Sequence, residues 1–313
     1  MAKRDLRHSQ RQLTMQSDKT DTGRTQKIRI VCISDTHNAA PGEGYTLPKG
    51  DILIHAGDLT NNGQPSELDK ALKWLREANY DVKIVVAGNH DLALDEGYGT
   101  LSDEAVKLRQ ALRKDGGIVY LEHESMKVNV KGAEVSIFGS PFSIAAGEKQ
   151  WAFQYPASQA EKLWSAIPSD TAILVTHTPP IGHLDTSKHW TRGGCPALLE
   201  ALLRTKPLLH VCGHCHEGRG GRVIRWQDEA EGELGMSDWR DPGAGNKKQS
   251  LFDLTKSRLG YALQACEETA IVNASIIAKS YGRGAKAFNK PVVVDVEMPV
   301  PAENQGPAAL KAG

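Results

Sequence analysis

The first third of the chain alternates between short apolar runs and amphipathic segments. Short runs rich in β-branched residues predict buried strands, and three of them occupy residues 28–33 (IRIVCI), 51–55 (DILIH) and 82–86 (VKIVV). Apolar residues at helical spacing predict helices over 66–79, with Ser66 as the N-cap, and over 101–114. This alternation favours an α/β protein with helices outside a sheet.

Beyond residue 118 the pattern changes to shorter strands and fewer helices. Strands are predicted at 119–121, 126–130, 134–138, 172–176, 208–212, 269–277 and 291–296. Helices are predicted over 157–166 and 196–204. Because hairpins now follow the alternating part, the fold class is α/β with mixed sheets layered against helices.

We expect one domain over residues 27–298, between a flexible tail at 1–26 and a second tail at 299–313. Residues 217–250 are rich in glycine and charge and are interpreted as a long insertion or mobile loop. Two tryptophans of this segment, Trp226 and Trp239, are assigned to a solvated excursion in preference to a lid over substrate.

Charge and hydropathy restrict the class of partner. Lys+Arg and Asp+Glu are both 38, so the formal net charge is zero, which argues against nucleic acid as the main partner. The first 26 residues lack the apolar region of a secretory signal, and no apolar run has the length of a membrane span. We therefore expect an intracellular, cytoplasmic protein with no membrane partner.

The five cysteines are odd in number and irregularly spaced, which argues against a disulfide framework. Cys32 and Cys212 are interpreted as small apolar residues of buried strands. Cys212 and Cys215 form a C-x-x-C pair, but no second pair at matching spacing supports a structural zinc site. A redox role for this pair stays open.

Five predicted strands end in polar residues that can bind a metal ion: Asp35-Thr36-His37, Gly57-Asp58, Gly88-Asn89-His90-Asp91, Thr176-His177 and Gly213-His214-Cys215-His216. Each ending alone has a simpler explanation, since Gly-Asp is common in turns and a lone histidine is usually packed or on the surface. Five together indicate one site at the carboxyl ends of the strands. The glycines suit points where the backbone turns sharply or approaches the site closely.

The candidate ligands are two aspartates, one asparagine and four histidines: Asp35, Asp58, Asn89, His37, His177, His214 and His216. This mixed nitrogen and oxygen set favours manganese, iron, zinc, cobalt or nickel over calcium. Seven ligands are too many for one tetrahedral ion, but they suit two ions that share a bridging carboxylate.

In order and content, the five blocks resemble the calcineurin-like metallophosphoesterase superfamily, with motifs D-x-H, G-D, G-N-H-[D/E], H and G-H-x-H. The resemblance covers about residues 28–217 and is greatest to the metallophosphoesterase-domain-containing phosphodiesterases, as in DILIHAGDLT, YDVKIVVAGNHD, THTPPIGHLD and LHVCGHCHEG. It implies a layered αββα fold with two mixed β-sheets and flanking helices. The insertion after Glu217 departs from that subfamily.

The resemblance also implies the roles of the ligands. One ion would be held by Asp35, His37 and His216, and the second by Asn89, His177 and His214, with Asp58 bridging both. Some members of the subfamily have glycine at the position of His214 and are weak enzymes, whereas this chain keeps the histidine.

The resulting hypothesis is hydrolysis of a phosphate ester by a hydroxide that bridges two metal ions. His90 is predicted to give a proton to the leaving oxygen, with Asp91 orienting its ring. For Asp91, a loop position facing water is the alternative. The resemblance implies a small nucleotide-like phosphodiester as substrate, with a cyclic nucleotide as one candidate.

Two other functions stay open. A catalytically weak scaffold or nucleotide-binding protein would keep the fold, although every motif position is filled here. A nuclease or protein phosphatase is disfavoured by the zero net charge and by the lack of the phosphatases' extended signatures. Among the remaining histidines, His55 and His210 are predicted to be packed or to support the ligands, His123 and His189 to lie on the surface, and His183 to be a loop or substrate residue.

Overall fold

The structure is a computed structural model and describes residues 24–145, 150–188, 193–226, 233–259, 262–279 and 287–301. The strands of these residues are β1 (Thr25–Ile33), β2 (Ile52–Ala56), β3 (Val82–Val86), β4 (Val119–Tyr120), β5 (Glu124–Val130), β6 (Ala133–Ser140), β7 (Ser143–Ile144), β8 (Gln154–Tyr155), β9 (Ile173–Thr176), β10 (Leu209–Cys212), β11 (Gly220–Trp226), β12 (Glu233–Asp238), β13 (Ser250–Asp253), β14 (Glu268–Asn273), β15 (Ile277–Lys279), β16 (Ala287–Phe288) and β17 (Val292–Pro299). The α-helices are α1 (Pro65–Glu77), α2 (Asp103–Arg113), α3 (Ala160–Trp164), α4 (Pro196–Thr205) and α5 (Lys256–Leu259).

Two mixed sheets form the centre of the molecule. The first has the strand order β13-β17-β1-β2-β3-β4, in which β1 to β4 run parallel and β17 is antiparallel to β1. The second has the order β12-β11-β14-β10-β9-β6-β5, in which β6, β9, β10 and β14 run parallel. Short two-stranded sheets, β7-β8 and β15-β16, lie beside them.

Alternation of side chains along the strands builds the layers. In the first sheet, Ile30 and Ile54 face the second sheet, where they pack in one cluster with Val175 and Val211. The intervening residues face outward and pack with α1 and α2. Outward residues of the second sheet pack in the same way with α3 and α4. The predicted αββα layering is therefore confirmed.

Helix α1 begins earlier than predicted. Its N-cap is Gln64, and Pro65 occupies the first helical position, where its fixed φ and missing N–H are tolerated. Glu67 Oε2 accepts hydrogen bonds from the main-chain N–H groups of Gln64 and Asn62. Ser66 therefore lies within the first turn, and its prediction as N-cap was wrong.

The interpretation of 217–250 as a mobile loop was wrong for its described residues. Strand β11 pairs antiparallel with β14, and β12 pairs with β11, so the segment extends the second sheet. Trp226 is buried and donates from Nε1 to Thr269 Oγ1, while Trp239 stacks on Phe252 with ring centroids 5.4 Å apart. Neither tryptophan belongs to a solvated excursion.

Both predicted tails are shorter than expected where the structure describes them. Thr25 already pairs with Pro299, so β1 and β17 extend into residues assigned to the tails. Residues 1–23 and 302–313 lie outside the described part of the chain. Cys32 and Cys212 are fully buried, as predicted.

A buried carboxylate ties β17 to β1. Asp295 accepts two hydrogen bonds from Arg29, both at 2.7 Å. It also forms an ion pair with Lys27 at 2.7 Å. Burial alone would raise the pKa of Asp295, but the bonds from Arg29 and Lys27 outweigh it and lower that pKa. The charged form is therefore the one that stabilises the fold.

We expect Asp295→Asn to lower the free energy of unfolding by about 1.5–3 kcal/mol at pH 7, because hydrogen bonds to a charged group are lost. Since the folded pKa is lowered, this contribution exists above the unfolded pKa and is lost as pH falls through the folded pKa. Urea unfolding of both chains from pH 7 to pH 3 should show the difference shrinking in acid. Glu134→Gln, which breaks an exposed pair with Lys127, is the control and should change stability by less than about 1 kcal/mol. A constant difference across the pH range would contradict the assignment.

Candidate metal centre

The carboxyl ends of five strands meet at one edge of the two sheets. Main-chain hydrogen bonds join the loops that follow them, from Asp35 N to Gly57 O at 2.9 Å and from Gly213 N to His177 O at 3.0 Å. Between the sheets, His177 Nδ1 lies 2.9 Å from Ala56 O. The five motifs found in the sequence therefore form one cluster.

One group of donors consists of Asp35, His37 and His216, whose candidate ligand atoms all lie within 4.8 Å of one another. His216 Nε2 is 3.3 Å from Asp35 Oδ1 and 3.3 Å from His37 Nε2. The carboxylate of Asp35 is further held by the main-chain N–H of His214, 3.1 Å from Oδ2.

The second group lies beside the first and consists of Asn89, His177 and His214. His177 Nε2 is 3.0 Å from Asn89 Oδ1 and 3.2 Å from His214 Nδ1. The side chain of His177 is fully buried, and those of the other two residues are largely so. All seven predicted ligands except Asp58 thus fall into two groups of three.

Asp58 lies between the two groups. Its Oδ2 is 3.7 Å from His37 Nε2, and its Oδ1 is 3.4 Å from His177 Nε2. The main-chain N–H of His90 donates to Oδ1 at 2.8 Å and helps to fix the carboxylate plane. One oxygen toward each group is the arrangement that a bridging ligand requires.

The second group has more lone pairs than protons to share. Because the carbonyl of Ala56 can only accept, Nδ1 of His177 carries the ring proton. The lone pair of Nε2 in the neutral ring then faces the acceptor oxygens of Asn89 and Asp58, with Nδ1 of His214 also 3.2 Å away. Such a convergence is unfavourable by itself and favourable around a cation, so the residues present fit a metal ion.

Burial sets the protonation of the donors. It lowers the pKa of His37 to about 4 and that of His214 to about 3, so both rings are neutral at pH 7 and keep the lone pair that a metal needs. Burial opposes ionisation of Asp35, but the hydrogen bond from His216 and nearby imidazoles hold the pKa of Asp35 well below its usual range. For His216, burial alone would lower the pKa. The hydrogen bond to Asp35 and the charge of nearby carboxylates outweigh burial, so the pKa of His216 is raised. The lowered pKa of Asp35 and the raised pKa of His216 both mean that positive charge beside the Asp35 carboxylate is favourable.

The ligand loops adopt sparsely populated backbone conformations. Asp35, His37, Asp58 and His214 all have positive φ, at 55°, 42°, 54° and 66°. Few non-glycine residues do so, and such residues concentrate at functional sites where the surroundings enforce them.

The motif glycines have the predicted role. Gly57 has φ +98°, in the region that favours glycine. A Cβ at Gly88 would collide with Asp58 Oδ1, and one at Gly213 would collide with Asp35 Oδ2. The backbone therefore approaches the ligands as closely as only glycine allows.

His90 borders the first group of donors. Its Nδ1 lies 2.7 Å from the carbonyl oxygen of Asn61, so Nδ1 is a donor and Nε2 is the other functional nitrogen. The ring meets His37 edge to face at 4.7 Å between centroids and lies 4.2 Å from the ring of Trp151. These contacts hold the imidazole from three sides.

Asp91 does not orient His90, contrary to the sequence prediction. Its carboxylate accepts from the main-chain N–H groups of Leu59 (3.2 Å), Thr60 (2.8 Å) and Gly88 (2.8 Å), and from the Thr60 hydroxyl (2.8 Å). The residue is fully buried, so the alternative of a loop residue facing water is wrong as well. Asp91 instead joins the loop after β2 to the loop after β3. Burial and the charge of Asp58 raise its pKa to about 6, which leaves it mostly ionised at pH 7.

Asn273, at the end of β14, holds the loop of the last motif from behind. Its Nδ2 donates to Cys215 O at 2.8 Å and Leu184 O at 2.9 Å, and it also lies 3.4 Å from Gly213 O. Its Oδ1 accepts from Ser275 N at 3.1 Å. Cys215 is buried between the two ligand histidines, so its carbonyl is part of the support of the site.

The other histidines separate into clear roles. His55 and His210 are fully buried and bonded to threonines next to ligands, as predicted. His123 is half-buried among aromatic rings and bonds Ser140, so the surface prediction was wrong. His183 is buried beside Arg222 of β11, and His189 lies outside the described residues.

Three further residues of the site gave little signal in the sequence. Asn61 acts through its carbonyl, which every residue possesses, and Trp151 reaches the site from a stretch with no motif. The main chain of this stretch is anchored by the hydrogen bond from Ala152 N to Asn89 O at 3.1 Å. Asn273 ends a strand that carries none of the five motifs.

The family model of the calcineurin-like phosphoesterases matches residues 28–218. This match covers more than half of the chain and all five motifs, so the chain belongs to the calcineurin-like phosphoesterase family. It is also similar to curated proteins named metallophosphoesterase domain-containing protein 1. The family and the donor set together define a centre for two divalent metal ions, and the identity of the metal is open.

Two curated relatives illustrate the extent of the similarity. Metallophosphoesterase domain-containing protein 1 of Homo sapiens is 39% identical over an alignment 211 positions long, which covers 61% of this chain and 61% of the human protein. Probable rhamnogalacturonate lyase C of Emericella nidulans is 42% identical over 203 residues, which are 64% of this chain and 18% of that protein. The chain thus spans less than two thirds of either relative.

Among solved structures, that of purple acid phosphatase PPD1 of yellow lupin seeds aligns with 85% of this chain and with 46% of the phosphatase chain. At 14% identity and a TM-score of 0.39, this likeness carries no argument about function. Within the described ranges, no helix has the length and apolar character needed to cross a bilayer.

We expect Asp91→Asn to lower the free energy of unfolding by at least about 1–3 kcal/mol, because an amide N–H₂ would face main-chain N–H donors that now bond a carboxylate. Chemical denaturation at pH 7 measures the change. Asp81→Asn, at an exposed position before β3, should leave stability within about 0.5 kcal/mol. Wild-type stability in the Asp91 variant would show that the loops do not depend on this carboxylate.

Proposed function

We propose that this protein is a phosphoesterase that uses two divalent metal ions to hydrolyse a small, nucleotide-like phosphodiester. One observation carries the proposal: two groups of three donors flank Asp58, whose carboxylate presents one oxygen to each. Asp35, His37 and His216 would hold one ion, and Asn89, His177 and His214 would hold the other.

Two ions bound there would supply positive charge to the phosphoryl oxygens and make hydroxide available near neutral pH. The chain itself orients the reaction. Main-chain bonds fix Asp35 and Asp58, and the carbonyl of Asn61 fixes the ring of His90. Nε2 of His90 is then the atom that delivers a proton to the leaving oxygen.

The space beside the centre supports a small substrate. A cavity of about 350 Å³ opens next to His37, lined also by Asn61, Phe288 and the carboxylates Glu43 and Glu67. This volume suits one nucleoside-sized group. The two carboxylates disfavour a polyanionic backbone, which agrees with the zero net charge of the chain.

Metal-stripped protein given manganese, zinc, nickel or magnesium singly should recover hydrolysis of bis-p-nitrophenyl phosphate with at least one metal. Asp58→Asn should lower kcat more than about a hundredfold with the same metal, because both ions lose a shared ligand. Asp69→Asn, on the exposed side of α1, is the matched control and should keep wild-type activity. Tight binding of two ions without turnover of any ester would instead indicate a binding protein on the same fold.

His90→Ala should lower kcat about 10²–10⁴-fold while two metal ions per chain remain bound, since the residue is assigned to proton transfer. Metal content by elemental analysis, together with kcat on diesters of differing leaving-group pKa, tests the role. The loss should be largest for the poorest leaving groups, which need the proton most. Loss of bound metal in this variant would make His90 a ligand.

A further inference from the structure

Each central sheet carries a fully buried histidine that the proposed mechanism does not use. His55 is the fourth residue of β2, and His210 is the second residue of β10. Both lie on the outer, helix-covered faces of their sheets, because their neighbours along the strands face the inter-sheet core. His55 lies under Trp74 of α1, with ring centroids 6.1 Å apart.

Each ring is bonded to the hydroxyl of a threonine in a ligand loop. His55 Nε2 is 3.0 Å from Thr36 Oγ1, and Thr36 lies between Asp35 and His37. His210 Nε2 is 2.7 Å from Thr176 Oγ1, the residue before His177. The two sheets therefore share one arrangement, in which a buried histidine is bonded to a threonine beside a ligand residue.

The hydroxyls decide which ring nitrogen carries the proton. Thr176 donates to Thr178 O at 2.6 Å, and Thr36 donates to Leu59 O at 3.4 Å. Since a hydroxyl has one proton and the Thr176 bond is short, His210 donates from Nε2. The longer Thr36 bond favours the same tautomer in His55, whose Nδ1 has no acceptor to receive a proton. Nδ1 of both rings then bears a lone pair, and neither Nδ1 has a hydrogen-bond partner among the described residues.

The threonines in turn hold backbone at the ligands. The hydroxyl of Thr176 spans the peptide units on both sides of His177. That of Thr36 connects the loop of Asp35 and His37 to the carbonyl of Leu59, which follows Asp58. Burial lowers the pKa of both histidines to about 3, so they stay neutral and keep one tautomer at working pH.

We propose that His55 and His210 are positioning residues that set the metal affinity of the two halves of the centre through Thr36 and Thr176. The inference rests on the metal centre of the proposed function, but not on its catalytic activity. Packing alone would favour an apolar side chain at these sites, since each ring leaves one buried nitrogen unpaired.

Manganese affinity, measured by titration calorimetry on the metal-stripped full chain, tests the proposal. His55→Phe and His210→Phe keep a ring but remove the donor, and each should weaken binding about tenfold. His55→Gln and His210→Gln place an amide N–H near the Nε2 position and should bind within about threefold of wild type. The rescue by glutamine is a readout that loss of core packing would not produce.

Thr36→Val and Thr176→Val remove the hydroxyls and should reproduce the weakening. Each threonine change combined with phenylalanine at its own histidine should add little further loss, because both act on one bond. Thr269→Val is the control: its buried hydroxyl bonds Pro207 O at the far end of β14, so stability should fall while manganese affinity stays unchanged.

Wild-type affinity in the folded phenylalanine variants would overturn the proposal, as would wild-type affinity in the valine variants if phenylalanine prevents folding. Failure of the proposed function alone appears differently. The wild-type chain would then bind manganese but hydrolyse no ester. The manganese affinities of the variants could still be measured and ranked. A wild-type chain that binds none of manganese, zinc, nickel and magnesium would overturn both.

Discussion

The carboxylate of Asp58 links two groups of donors, and each group draws residues from both sheets. Its oxygens lie 3.7 Å from Nε2 of His37, which follows β1, and 3.4 Å from Nε2 of His177, which follows β9. A slip of one sheet against the other by about an ångström would spoil one of these contacts. The close-packed layer between the sheets, whose buried cluster includes Ile54 and Val211, therefore determines the chemistry as well as the stability.

Holding acceptor atoms close together costs free energy. Two residues fix the loops that carry these atoms, one by accepting hydrogen bonds and the other by donating them. Asp91 collects main-chain N–H groups from the loops of the first sheet, while the amide of Asn273 donates to carbonyls in the loops of the second. Each is fully buried behind the ligands. The positive φ of Asp58 and His214 is tolerated because such supports leave the backbone no alternative.

Much of this arrangement could be predicted from the sequence, because ligands must be particular residue types at particular strand ends. All seven predicted ligands lie in one cluster, and the strand 82–86 has the predicted bounds. The residues that hold the ligands in place were harder to predict. The prediction that Asp91 orients His90 was wrong, because neighbours in a tight loop point in different directions and the carbonyl of Asn61 binds the ring instead. The strands within 217–250 were missed because glycine and charge obscured their alternation, which only pairing with β14 makes stable.

The donors of the metal centre and the wall of the adjacent cavity come from different parts of the chain. The donors all lie within the stretch 28–218 that matches the family. The wall of the adjacent cavity includes Phe288, which lies beyond that stretch, and Trp151 covers His90 from a segment without a motif. In the proposed phosphoesterase, Phe288 and Glu67 are therefore among the residues that would contact a substrate group beside His37. Under that proposal, selection among phosphate esters depends on this aromatic and acidic wall, whereas the metal centre determines the reaction class.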